Sequence, residues 1–233
     1  MEKKQAMKQL SELQKKAREM RLAAEEWGSE WQTLIAILMS ARTRDETTIK
    51  VAERLFKKYK TTATLATANA TEVSAIIRSV NFFRNKTKSV IGCAKMLTKE
   101  FGGEVPRDIG TLMMLPGVGR KTANVFLSEV GKDAIGVDTH VSYISQKLGW
   151  TVYKDPRKIE EDLRNLFPRA EWSRVNRVCV RFGKTHQSRR EKNAILEEIK
   201  NKKYSPSGQA PRYYRNSLRS SLYADKPCSI GLY

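Results

Sequence analysis

The stretch LPGVGRKTANVF, residues 115–126, decides the fold, because a Pro-Gly-Val-Gly turn runs directly into two basic residues and a helical pattern. The apolar spacing predicts a short helix over about 108–114 and a second helix over about 119–130. Glycines at 117 and 119 permit unusual dihedral angles and leave backbone N–H groups uncovered at a helix start. The stretch therefore predicts a helix-hairpin-helix unit, at about 108–130, whose turn can bind an anion.

Helical spacing of apolar residues extends over most of the chain. WQTLIAILMSA, at 31–41, is apolar nearly all round and predicts a central, buried helix. Thr43 and Glu46 are spaced as a capping box, and Asp155 precedes Pro156, so each pair predicts a helix N-terminus. Because no segment alternates as a strand would, we expect an all-α fold.

The charge of the chain indicates its class of partner. Its 44 Lys and Arg residues against 25 Asp and Glu residues give a formal net charge of +19. Such an excess favours a polyanionic partner, most often nucleic acid. A ribosome-like or merely basic protein is the alternative interpretation.

The three cysteines, Cys93, Cys179 and Cys228, are too few and too scattered for a disulfide framework or a CxxC metal site. We therefore expect an intracellular protein, cytoplasmic and nucleoid-associated, or nuclear if the source is a eukaryote. The longest apolar run, LIAILM at 34–39, is too short to span a bilayer, and the N-terminus lacks a secretory signal. No membrane partner is expected.

The composition changes at about residue 202. Residues 202–233 mix Ser, Pro and Gly with Arg and contain five of the eight tyrosines. This basic, Tyr-rich tail is either a loosely ordered extension or an accessory nucleic-acid contact, since tyrosine rings stack on unpaired bases.

Two motifs carry a family resemblance. LPGVGRKTANVFL is followed by GVDTHV, whose aspartate lies seventeen residues after the lysine. Together they closely resemble the endonuclease III branch of the helix-hairpin-helix (HhH-GPD) DNA glycosylases. The likeness covers roughly residues 25–185 and extends to three further segments, LIAILMSARTRD at 34–45, GGEVP at 102–106 and, more weakly, RFGK at 181–184.

The resemblance implies two helical domains with an active-site cleft between them. The terminal domain would combine residues 1–27 with 138–201, and the central bundle, which holds the hairpin, would span 28–137. The damaged nucleotide would be flipped out of the duplex into the cleft.

The resemblance also implies that Lys121 is the nucleophile and Asp138 the essential carboxylate. A neutral lysine amine can attack the sugar carbon C1′ and hold the sugar as a Schiff base, and burial or nearby cations favour that neutral form. Asp138 would take the ammonium proton or stabilise positive charge on the sugar. Alternatively, Lys121 is simply one of the 44 basic residues and Asp138 is only a helix cap.

Other positions carry over less specifically. Ser40, Asp45 and His140 match positions near the flipped base, although His140 is alternatively a hydrogen bonder at a helix start. DNA contacts are expected from the hairpin, at Leu115, Gly117, Val118, Gly119, Arg120 and Thr122. The basic run that starts at the end of RFGK, namely Lys184, Arg189, Arg190 and Lys192, is a further candidate to face DNA.

The chain departs from the family pattern at the residues that fill the gap left by the flipped base. Arg42 stands where glutamine is usual, and NFF at 81–83 replaces Gly-Leu-Tyr. Arginine can pair with and stack on the orphaned base, while Phe82 can act as an apolar wedge. Core packing is the alternative for Phe82 and Phe83.

A second departure concerns the cofactor. Many relatives hold a [4Fe–4S] cluster on four cysteines that follow the position of RFGK, and here residues 183–203 contain no cysteine. We therefore predict no iron–sulfur cluster, no metal and no other cofactor.

The sequence thus favours a base excision repair DNA glycosylase with abasic-site lyase activity, which acts as a monomer on damaged pyrimidines in double-stranded DNA. A uracil or thymine-mismatch glycosylase that has kept the lysine is the related alternative. A non-catalytic DNA-binding protein or a ribonucleoprotein component would not form a covalent intermediate with damaged DNA.

Overall fold

The structure, a computed structural model, describes residues 1–202 and is all-α over that range, without a strand. A one-turn 3-10 helix, Arg169–Glu171, lies between the tenth and eleventh α-helices. The α-helices are α1 (Lys3–Lys16), α2 (Glu30–Ser40), α3 (Asp45–Lys58), α4 (Thr62–Ala66), α5 (Ala70–Ile76), α6 (Phe83–Phe101), α7 (Ile109–Leu112), α8 (Arg120–Glu129), α9 (Thr139–Leu148), α10 (Pro156–Leu166), α11 (Trp172–Thr185) and α12 (Arg189–Asn201). The all-α prediction is confirmed.

Buried apolar side chains fall into two clusters within the compact unit Met1–Lys202. The first surrounds α2, in which every residue from Thr33 to Met39 is buried, as the apolar run at 31–41 predicted. The second combines α1 with side chains that lie between Ile135 and Ile199. The predicted domain boundaries at 27 and 137 remain a prediction, and the tail beyond residue 202 lies outside the described residues.

The predicted hairpin forms from α7, a turn and α8. Helix α7 is shorter than the predicted 108–114, and Asp108 caps it by accepting a hydrogen bond from the Thr111 backbone N–H at 2.8 Å. The backbone N–H of Val118 donates to the Leu115 carbonyl at 3.0 Å, and Gly117 between them has a φ of 81°. This is the pattern of a type II turn, with proline second and glycine third.

The predicted capping box at Thr43 and Glu46 is wrong. Helix α3 begins at Asp45 with Arg44 at its N-cap, and no side chain makes a cap hydrogen bond there. The Thr43 hydroxyl instead accepts a hydrogen bond from the backbone N–H of Asn81 at 3.1 Å. A contact distant in sequence therefore takes the oxygen that the local pattern assigned to the cap.

Among the helices of residues 1–202, not one has both the length and the apolar character needed to cross a bilayer.

The Asp155 cap before Pro156 forms as predicted, because its carboxylate accepts from the next two backbone N–H groups.

Candidate active site

A cleft of about 1250 Å³ opens where the C-terminus of α2, the start of α3, α8, the start of α9 and α11 meet. Its volume exceeds the roughly 300–1,000 Å³ of typical small-ligand pockets, so a nucleotide with its attached backbone can enter. The structure brings together in its wall six of the residues predicted from the sequence, namely Ser40, Arg42, Asp45, Lys121, Asp138 and His140.

Lys121 is the second residue of α8, just after the glycine turn. Burial lowers the pKa of its ammonium below the ordinary lysine value of 10.5, and the positive charge of Lys184 acts in the same direction. The carboxylates of Asp138 and Asp45 oppose this shift in pKa without cancelling it. The cleft therefore favours the neutral amine, which is the nucleophilic form of lysine.

Asp138 is both a cleft residue and a helix cap. Its Oδ1 accepts a hydrogen bond from the Val141 backbone N–H at 2.8 Å, which fixes the carboxylate at the N-terminus of α9. Because its negative charge is close enough to act on the pKa of Lys121, the two side chains form one electrostatic unit. The cap and the catalytic interpretation are therefore compatible.

Three further cleft residues are held by specific contacts. The Asp45 carboxylate pairs with the Lys184 ammonium, and the Ser40 hydroxyl donates to the Ile37 carbonyl at 2.8 Å. The His140 ring packs so closely on Gly183 that a Cβ there would lie 2.1 Å from Nδ1. Burial also lowers the pKa of His140, so this imidazole is disposed to be neutral.

The hairpin residues divide into side chains that pack and backbone that stays exposed. The Leu115, Val118 and Thr122 side chains are buried, so their contribution to a DNA contact would come from the main chain. Gly117 and Gly119 are exposed, and the first backbone N–H groups of α8 have no acceptor within the helix. Such a turn is suited to hold a phosphate.

Arg120 has a structural partner already. Its guanidinium binds both carboxylate oxygens of Glu160, with Nε–Oε2 at 2.8 Å and Nη2–Oε1 at 3.0 Å. Glu160 is buried in α10 and also accepts from the Asn124 side chain at 2.9 Å. This network fixes α8 against α10, and a DNA contact by Arg120 remains a prediction.

Arg42 and Phe82 lie together, and both have left-handed backbones. Their φ angles are 57° and 61°, a region that costs about 1–2 kcal/mol for a residue with a Cβ. The Arg42 guanidinium carbon lies 5.3 Å from the centre of the Phe82 ring, and Phe82 is 58% exposed. Core packing is therefore wrong for Phe82, whereas Phe83 does pack on the first cluster.

Comparison with known proteins places this cleft in a family. A family model described as HhH-GPD superfamily base excision DNA repair protein matches residues 35–169, more than half of the chain. The chain belongs to this superfamily. The endonuclease III of Thermotoga maritima is 40% identical over 156 residues, which cover 66% of this chain and 73% of that relative. The endonuclease III of Bacillus subtilis is 38% identical over 158 residues, or 67% and 72% of the two chains.

Solved structures agree with the family assignment. A trapped endonuclease III–DNA covalent intermediate aligns with a TM-score of 0.73 and 36% identity, covering 81% of this chain and 89% of that chain. A thermostable thymine-DNA glycosylase aligns with a TM-score of 0.67 at 18% identity and shows a shared fold.

This HhH-GPD chain does not offer the ligands of a [4Fe–4S] cluster in the part that the structure describes. Cys93 and Cys179 are each buried in a different apolar cluster, and burial raises the pKa of the Cys93 thiol to about 12. Over residues 1–202, no group of three or more His, Cys, Asp or Glu side chains is placed to hold a metal. Cys228 lies outside this range, and the absence of a cofactor remains a prediction.

Two titratable residues, Glu129 and Lys86, were not among the residues predicted from the sequence. Glu129, the last residue of α8, lines the cleft, and burial raises the pKa of its carboxyl. Lys86 is buried in the first turn of α6, where it binds the segment that carries Arg42. Its signal was a lysine four residues before Val90, in register with the apolar stripe of the helix.

Proposed function

We propose that this protein is a DNA glycosylase with abasic-site lyase activity, which removes damaged pyrimidines from double-stranded DNA during base excision repair. The observation that carries the proposal is the Lys121 amine, which is half-buried in the wall of a large cleft, disposed to lose its proton and electrostatically coupled to Asp138. A 36% identical relative has been solved as a covalent intermediate with DNA, which supports the same assignment.

The reaction follows from the chemistry of a neutral amine. The Lys121 nitrogen forms a bond to C1′ of the sugar, the bond from C1′ to the base breaks, and the base leaves with the electron pair and takes up a proton. Opening of the sugar ring gives an imine between lysine and C1′. Loss of a C2′ proton then expels the 3′ phosphate by β-elimination, and water releases the sugar fragment from the lysine.

Asp138 would support this sequence from its fixed position at the start of α9. Its carboxylate would accept the proton that the Lys121 ammonium must lose, or stabilise positive charge on the sugar as the base departs. The hydrogen bond from the Val141 N–H restricts the carboxylate to one orientation. This restriction reduces the reorganisation needed when charge develops on the sugar.

DNA would lie across the mouth of the cleft. The amides of the Gly117–Gly119 turn would hold a backbone phosphate, and the flipped nucleotide would enter beside Ser40, Asp45 and His140. Arg42 and Phe82 would fill the gap in the duplex. Because each role is met within a single chain, we propose that the protein acts as a monomer, in the compartment that holds genomic DNA.

Borohydride trapping tests the proposal directly, because reduction of the imine fixes the enzyme to DNA. The duplexes would carry thymine glycol, uracil, a G·T mismatch or an abasic site, and the ranking of adduct rates would identify the preferred lesion. The native chain should form an adduct and Lys121→Gln should form none. If the native chain traps on no substrate, the lyase assignment is wrong and a non-catalytic DNA-binding role is favoured.

Asp138→Asn tests the catalytic role of the Asp138 carboxylate separately from its role as a helix cap. Asparagine caps helices about as well as aspartate, so the stability of the protein should hardly change. The adduct rate should fall by about 100-fold or more, which is the low end of general acid–base contributions. An unchanged rate would reduce Asp138 to a structural cap.

The pH profile tests the lowered pKa of Lys121. The rate on an abasic site should rise with pH as the ammonium loses its proton, with a midpoint below the ordinary 10.5. Lys184→Met removes a repelling charge and leaves Asp45 unpaired, and both changes raise the pKa of Lys121. The midpoint should therefore move to higher pH, and a shift to lower pH would contradict this electrostatic account.

A further inference from the structure

Lys86 stands out because it is a buried lysine outside the cleft wall, with every ammonium proton directed at one short segment. Its Nζ donates to the carbonyls of Met39 and Ala41, each at 2.6 Å, and to the Thr43 hydroxyl at 3.3 Å. An ammonium has three N–H donors, so these three acceptors use all of them. Burial and the Lys121 charge lower the pKa of Lys86 to about 8, which leaves the ammonium form prevalent at neutral pH.

The segment that Lys86 binds is strained. The backbone N–H of Thr43 donates to the Ser40 carbonyl at 2.9 Å, and Ala41 has φ −54° and ψ 118°. With Arg42 at φ 57°, this is a type II turn whose third position holds arginine where glycine or asparagine is favoured. The carbonyls at this end of α2 also lack partners within the helix.

Neighbouring bonds complete the fixation of the turn. The Asn81 side chain donates to the Arg42 carbonyl, and the Asn81 backbone N–H donates to the Thr43 hydroxyl at 3.1 Å. Asn81 immediately precedes Phe82, whose ring lies beside the Arg42 guanidinium. Lys86 and Asn81 therefore bind the arginine turn to the start of α6, which carries Phe82.

From this geometry we infer that Lys86 is a positioning residue, which holds Arg42 and Phe82 ready to enter the duplex and so governs base flipping and not the lysine chemistry. The inference rests on the proposed function. Without Lys86, the Met39 and Ala41 carbonyls would lose this donor, the Thr43 hydroxyl would keep only the Asn81 N–H, and the strained backbone at Arg42 would relax. The damaged base would then be extruded more slowly, while an abasic nucleotide, which has no base to unstack, would still reach Lys121.

The test compares two single-turnover rates, base removal from a duplex with thymine glycol or uracil, whichever the native chain excises, and strand cleavage at an abasic site. Lys86→Met should lower the ratio of the first rate to the second by about tenfold or more. Lys86→Arg, which keeps a charged donor, should restore part of the ratio. Lys88→Met removes an exposed lysine from the same helix and should leave the ratio unchanged.

A milder variant covers the case in which Lys86→Met fails to fold. Asn81→Ala removes one bond to the Arg42 carbonyl from an exposed position, and it should lower the same ratio by about threefold. Circular dichroism and thermal unfolding establish that each variant is folded before its rates are compared.

The possible outcomes distinguish a failure of the proposed function from a failure of the positioning role of Lys86. If the native chain cleaves neither substrate, the proposed function fails. If the native chain acts on both the damaged base and the abasic site, and Lys86→Met lowers the two rates by the same factor, the positioning role is wrong. Lys86 would then act through the charge of Lys121 or through folding. An unchanged ratio in both Lys86→Met and Asn81→Ala also overturns it.

Discussion

Two turns of the same kind contact the same side of α6, and each places a residue in the left-handed region, but with different residue types. The Leu115–Val118 turn has glycine at its left-handed position, with a φ of 81°, whereas the Ser40–Thr43 turn has arginine there, with a φ of 57°. Glycine adopts this conformation without strain, and arginine does not.

The difference follows from what each turn presents. In the proposed DNA contact, the glycine turn would use its backbone N–H groups, which a side chain would obstruct. In the arginine turn the side chain is the group proposed to contact DNA, and bonds from Lys86 and Asn81 stabilise a backbone conformation that is unfavourable for arginine. The residues of the first turn favour its conformation locally, whereas the second turn is stabilised by hydrogen bonds from Asn81 and from Lys86 of α6.

Gly117→Ala should have the largest effect on stability. The new Cβ would lie 2.5 Å from the Ser89 Cβ at a left-handed φ, so strain and overlap together should lower the free energy of unfolding by about 3 kcal/mol. Urea unfolding measures this change. Gly119→Ala is the matched control, because Gly119 has open space and a φ of −91°, and it should change stability by less than about 1 kcal/mol. Equal losses in the two variants would contradict the role given to Gly117.

Thr43→Val should have an intermediate effect. Valine has nearly the same shape, but it removes the acceptor used by the Asn81 N–H and the Lys86 ammonium, so unfolding should be easier by about 1–2 kcal/mol. Thr98→Val is the control, since within residues 1–202 the Thr98 hydroxyl bonds only the Ala94 carbonyl of its own helix, at 2.9 Å. If both variants lose the same stability, the long-range bonds at Thr43 contribute nothing specific.

Arg42→Gly should have the smallest effect on stability, within about 1 kcal/mol. Glycine relieves the left-handed strain but gives the unfolded chain more freedom, and the two changes nearly cancel. Removal of the damaged base should nevertheless slow, because no side chain is left to fill the duplex gap. A stability loss above about 2 kcal/mol in urea unfolding would show that Arg42 serves the fold more than the site.

The glycine turn was predictable from sequence and the arginine turn was not, for the same physical reason. Pro116 and Gly117 encode their turn locally, and the buried run at 31–41 likewise predicted α2. The bond from Lys86 to Met39 joins residues 47 positions apart, so no local sequence pattern predicts it. The capping box at Thr43 failed because a distant amide competed for the same hydroxyl.

The cleft residues show the same division. Lys121 and Asp138 were found through motifs that surround them, whereas the ion pair of Asp45 with Lys184 depends on how α3 meets α11. Glu129 belongs to no motif in the sequence, and only packing places it in the cleft wall.

Helix α6 touches both turns along one face. Lys86 binds the arginine turn, Ser89 lies under Gly117, and a Cβ on Gly92 would come within 3.3 Å of the Pro116 ring. These three residues are spaced three apart, so they share one side of the helix and rise by about 4.5 Å per step. One continuous helix thus sets the distance between the turn proposed to bind a phosphate and the arginine proposed to fill the duplex gap. The distance between the two proposed DNA contacts would then be set by the rise of an α-helix.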